Sequence, residues 1–77
     1  MYLAINEVYE EFAVVTRHFL QEIENLQNQY SCSDVFFVDL DGDEYVDVDE
    51  LIRKYKSKGY RQVAITDYVD VIQFTIH

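Results

Sequence analysis

Eight apolar residues in the first part of the chain, Ile5, Val8, Phe12, Val15, Phe19, Ile23, Leu26 and Tyr30, follow one another at intervals of three or four. That is the stripe of an amphipathic helix, whose side chains return to one face about every 3.6 residues. Asn6 stands where an N-cap belongs. Glu7, Glu10 and Glu11 fall in the first turns, where the helix dipole favours anions. The spacing predicts a long N-terminal helix over about residues 6–29. Ser31, Cys32 and Ser33 then read as a connection. Val14 and Leu20 lie beside the stripe and widen the apolar face or mark a dimer seam.

Beyond this helix the pattern changes. Residues 35–38 are β-branched and aromatic, and residues 45–48 alternate in polarity, so both read as strands. Asp41 and Gly42 between them are a hairpin turn signal, because glycine tolerates positive φ. A loop of Asp41 to Asp43 pairs Val38 with Val46 and Phe36 with Val48. It sorts those four onto one face and Phe37, Asp39, Tyr45 and Asp47 onto the other. Asp47 or Asp49 can cap a second helix that buries Leu51, Ile52 and Tyr55. Lys56 and Lys58 fall in its last turn and Gly59 follows its end, as the dipole and a left-handed cap require. Residues 63–66 and 71–76 read as a final pair of strands, or as one bent strand. The order of helix, hairpin, helix and hairpin predicts a single α+β domain over residues 1–77, an antiparallel sheet with helices packed on one face.

Charge narrows the range of partners. Fifteen acids against six bases give a net charge of -9. Such a surface repels nucleic acid and steers the chain towards a basic protein surface. The plainer alternative is a solvated acidic coat. Disorder is excluded by the periodicity, by 49% hydrophobic residues and by seven Tyr and five Phe. Cys32 is the only cysteine, which excludes a disulfide framework and a cysteine zinc site. With no basic leader and no apolar run long enough to span a bilayer, the expected compartment is the cytoplasm. Cys32 with His18 or His77 is the one conceivable nucleophile and base. No Gly-rich phosphate loop or spaced His cluster accompanies them, and the chain is not expected to be an enzyme.

The densest chemistry lies in residues 39–50, where seven of twelve are carboxylates: Asp39, Asp41, Asp43, Glu44, Asp47, Asp49 and Glu50. Counted from Asp39, oxygen donors fall at the first, third, fifth, seventh, ninth and twelfth places: Asp39, Asp41, Asp43, the Tyr45 carbonyl, Asp47 and Glu50. This closely resembles the calcium loop of the EF-hand family and implies Ca²⁺ held by those six residues. At the sixth place, where the family has Gly, this chain has Glu44, and Gly42 comes two residues early. The chain has no second such loop.

The same residues also make an anion display. Alternate strand residues point the same way about 6.6 Å apart, so rows of carboxylates along a hairpin edge can imitate phosphates. In composition, as a small, acidic, cysteine-poor single domain, the chain resembles phage-encoded inhibitors of host defence, including anti-CRISPR proteins and other DNA mimics. That resemblance implies an inhibitor in the host cytoplasm that occupies the basic nucleic-acid channel of a nuclease or CRISPR-type complex. Its partner-binding residues are then Asp39, Asp41, Asp43, Glu44, Tyr45, Asp47 and Asp49, with Tyr68 as a further flank. The calcium module, with Asp39, Asp41, Asp43, Tyr45, Asp47 and Glu50 as ligands, is the alternative, and a small structural or dimerising protein the third. The chain is read as a monomer or homodimer. Five of the six bases, Arg53, Lys54, Lys56, Lys58 and Arg61, sit together with no acid among them.

Overall fold

The computed structural model describes residues 1–42 and 47–76. The chain is α+β, but its first segment is not a helix. Residues 2–15 form an antiparallel hairpin, β1 (Tyr2–Asn6) and β2 (Glu11–Val15), pairing Tyr2 with Val15 and Asn6 with Glu11. α1 (Arg17–Gln29) follows, then β3 (Val35–Asp39), α2 (Val48–Ser57), β4 (Arg61–Gln62) and α3 (Tyr68–Thr75). The sheet order is β3-β1-β2-β4, with β2 and β4 parallel and the other pairs antiparallel.

Burial on both faces explains the corrected N-terminus. Leu3, Ala4, Ile5, Phe12, Ala13 and Val15 are all buried. A central strand covered on both sides reads as a continuous apolar run rather than an alternation. Two such runs, separated by a polar turn, mimic a helical stripe when only every third or fourth residue is counted. Val14 beside Val15 was the mark of a strand, not of a widened helix face. Asn6 does cap, but it caps a turn: its Oδ1 accepts the N–H groups of Val8 at 3.0 Å and Tyr9 at 3.1 Å. Glu10 closes that turn in the left-handed region with φ 53°. Asn6 is itself fully buried, and its Nδ2 donates to the Phe74 carbonyl at 2.9 Å, tying the hairpin to α3.

Two further expectations fail. Residues 71–76 have the composition of a strand, but most of them belong to α3. Asp67 accepts the Asp70 N–H at 2.9 Å and caps that helix, and Val71, Phe74 and Thr75 are buried at helical spacing. β4 covers only Arg61 and Gln62, and residues 63–66 are not a strand. The expected partner of Val38 also changes: Val38 pairs with Leu3 and Phe36 with Ile5. Tyr45 and Val46, from the expected second arm, lie outside the described residues, and Val48 opens α2. The end of α2 is as the sequence predicts. Gly59, at φ 94°, donates to the Lys56 carbonyl while the Tyr60 N–H reaches the Tyr55 carbonyl, the paired bonds of a left-handed helix stop.

The helices lie on both faces, not one. α1 joins β2 to β3 across β1, whereas α2 joins β3 to β4 in the opposite direction across the sheet. Parallel crossovers share one hand, so two that run in opposite directions set their helices on opposite faces. The core divides accordingly. One half packs Ala4, Ala13, Val15 and Val35 with Ile23 and Leu26 of α1 and Val71 and Phe74 of α3. The other packs Leu3, Ile5 and Phe12 beneath Leu51, Ile52 and Tyr55 of α2.

Phe12 is fully buried and Phe19 only half-buried. Phe12→Ala is therefore expected to cost about 3–5 kcal/mol in urea unfolding and Phe19→Ala distinctly less. Equal losses would show that α1 carries more of the core than its burial indicates. Thr75 Oγ1 is buried and, among the described residues, has no hydrogen-bond partner. Thr75→Val, close in shape and without the hydroxyl, should raise stability by up to about 1–3 kcal/mol, and a lowered urea midpoint would contradict this.

Candidate functional site

The acidic rim is built where β3 ends and α2 begins. Asp39, Asp41, Asp47, Asp49 and Glu50 are all exposed. Asp43, Glu44 and Tyr45 lie outside the described residues. Several rim carboxylates also work within the fold. Asp39 Oδ1 accepts the Asp41 N–H at 2.9 Å, and the Asp41 carboxylate pairs with the Met1 ammonium. Asp47 caps α2 by accepting the Glu50 N–H at 3.2 Å, and Asp49 and Glu50 occupy its first turn. Tyr68, expected beside this rim, opens α3 on the opposite face of the sheet from α2.

For calcium, the chain enters the 39–50 segment from a strand and leaves it into a helix. Among the described residues no group of three or more His, Cys, Asp or Glu side chains stands ready to hold a metal ion. For catalysis, His18 is in the first turn of α1 and Cys32 lies beyond its last. The rise of the helix puts them roughly 20 Å apart. His77 lies outside the described residues.

The bases make a second electrostatic feature. Arg53, Lys54 and Lys56 project from the second half of α2 and Lys58 caps its end; all four are exposed, with Arg61 just beyond. The Lys58 ammonium stands 5.4 Å from the Tyr55 ring centre, and Arg61 pairs with Glu11 at 2.8 Å. Burial, and then the neighbouring Tyr60 and Glu7, push the Tyr55 phenol above its usual range.

Sequence reasoning missed a small cavity of about 130 Å³ between the segment after β4 and α3. It is lined by Glu11, Val63, Ile65, Asp70, Gln73 and Phe74 among others. Cofactor sites usually enclose about 300–1,000 Å³, so this one is too small for such a ligand. Asp70 Oδ2 accepts the Thr66 N–H at 3.0 Å and the Thr66 hydroxyl at 2.9 Å. The backbone bond first, and the hydroxyl second, hold its carboxyl below the ordinary aspartate range. The Asp67–Asp70 spacing, which is cap chemistry, was the signal that could have revealed this corner.

Among the described residues no helix is long and apolar enough to cross a membrane. No family model, curated protein or solved structure matches this chain.

Because its folded-state pKa is lowered, Asp70 adds stability at neutral pH that is lost as pH falls through the lowered value. A carbon-detected NMR titration should place its midpoint below the ordinary aspartate range, and Thr66→Val should move it part of the way back. An unmoved midpoint in that variant would show that the hydroxyl does not contribute.

Proposed function

We propose that this domain is an acidic protein-binding module that occupies the basic, nucleic-acid-binding surface of a partner, acting as an inhibitor of the anti-CRISPR or DNA-mimic kind. The observation that carries this reading is the exposed rim of Asp39, Asp41, Asp47, Asp49 and Glu50 at the junction of β3 and α2. The segregation of charge supports it. All fifteen acids lie outside residues 53–61, and Arg17 is the only base among them. A surface of one sign steers a basic partner from a distance and repels nucleic acid itself. The basic half of α2 adds orientation, because a partner must approach with its own bases towards the rim and away from that strip.

The test is capture of partners from a bacterial lysate, with and without calcium, followed by competition between this protein and nucleic acid for each captured protein. Competition should weaken as the Debye length falls from about 30 Å at 0.01 M salt to about 8 Å at 0.15 M. Single neutralisations should each cost only about 0.2–1 kcal/mol. Asp39→Asn, Asp41→Asn, Asp49→Asn and Glu50→Gln combined should abolish competition, with Asp47 left to cap α2 and circular dichroism as the folding control. A folded quadruple variant that competes like the parent removes the rim from the interface. Capture that requires calcium, and is lost in Glu50→Gln alone, would favour the calcium module instead.

A further inference from the structure

The outer edge of β3 presents an unfinished ladder. Bonds from the Glu7 N–H to the Asp34 carbonyl and from the Leu40 N–H to the Met1 carbonyl flank the β1–β3 pairing. Antiparallel pairing alternates, so the N–H and C=O groups of Phe36 and Val38 face β1, while those of Val35, Phe37 and Asp39 face outward. At Val35 the Gln27 side chain takes the place of a missing strand. Its Oε1 accepts the Val35 N–H at 2.8 Å and its Nε2 donates to the Val35 carbonyl at 3.2 Å. At Phe37 and Asp39 no strand pairs on the outer side among the described residues.

Exposed edges are ordinarily blunted by lysine, proline, a bulge or shortness. The opposite edge, β4, is only two residues long. β3 has five residues, Val, Phe, Phe, Val and Asp, with no lysine or proline, and Phe36 is 39% exposed beside the open groups. Asp34 precedes the strand, and Asp39 and Asp41 stand at its other end. Among the described residues the strand thus offers outward backbone groups without a strand partner at Phe37 and Asp39, and an apolar side chain, between carboxylates. A second copy would bring a net charge of -9 against the same charge. A basic segment meets both the backbone and the carboxylates.

We infer that the partner adds an extended, lysine- or arginine-bearing segment to the outer edge of β3. Its backbone pairs with Phe37 and Asp39, and its bases reach Asp34, Asp39 and Asp41. The choice of a basic protein partner rests on the function proposed above. The edge pairing goes beyond it, because backbone bonds fix the register of a segment that charge alone only attracts.

The test uses the ¹⁵N-labelled protein and a short, blocked peptide of alternating lysine and valine. Its fully N-methylated analogue has equal charge but no backbone donor. In the protein alone, the Phe37 and Asp39 amides should exchange with solvent faster than those of Phe36 and Val38. With peptide at about ten times its Kd, exchange at Phe37 and Asp39 should slow about tenfold. The methylated analogue should bind about tenfold more weakly or worse. If both peptides bind equally, with shifts confined to the rim from Asp47 to Glu50, edge pairing is overturned and the basic-surface reading stands. If neither binds at low salt, both are overturned. If Phe37 and Asp39 are already protected without peptide, increasingly so with protein concentration, a second copy occupies the edge and the proposal fails.

Discussion

Burial of β1 on both faces is the constraint from which the rest of this structure follows. Leu3, Ala4, Ile5 and Asn6 are completely covered. Such a strand needs a pairing neighbour at each edge and a helical layer on each side. β2 and β3 supply the edges, and α1 with α3, against α2, supply the layers. Asn6 makes this burial tolerable at its one polar position, because its side chain spends both its ends on backbone groups. The same residue shapes the turn into β2 and anchors α3, so local turn and distant helix are set by one amide.

The two halves of the core are unequal, and that bears on function. α1 buries Ile23 and Leu26 completely or nearly so, whereas α2 has no fully buried residue. α2 rests on the sheet through half-buried Leu51, Ile52 and Tyr55 and spends the rest of its surface on charge, acids at its start and bases towards its end. This order also suits the helix dipole. The polarity of α2 therefore has a stabilising origin before any partner is considered. What the dipole does not explain is the further concentration of carboxylates at Asp39 and Asp41, where β3 hands the chain towards α2. At that junction structural need and charge display share the same residues, because Asp39 also accepts the Asp41 N–H and Asp41 pairs with the Met1 ammonium.

β3 links that display to the sheet. A strand whose outward groups are met at Val35 by Gln27 but lack a strand partner at Phe37 and Asp39 is guarded at one end and open at the other, among the described residues. The open end is the acidic one. Backbone pairing and electrostatic attraction would act on the same few residues there, the first giving register and the second giving rate.

How much of this was legible varies with how local its cause is. Residue chemistry alone determined the α+β class, a strand at 35–38, a helix cap at Asp47 or Asp49, the apolar face of α2 and the stop at Gly59. Each depends on neighbours a few positions away: β-branched composition, a side-chain oxygen near a free N–H, a glycine at positive φ. The carboxylates of residues 39–50 were equally plain as composition. Only the tertiary structure decided the hairpin at residues 2–15 and the helix at residues 68–75. A run such as Leu3, Ala4 and Ile5 satisfies either period until a layer covers each face, and the β-branched residues of α3 form a helix because Asp67 caps them and the α1 face of the sheet receives Val71 and Phe74. The placement of helices on both faces was likewise beyond the sequence. It follows from the direction in which each crossover traverses the sheet, and that direction exists only once distant strands have paired.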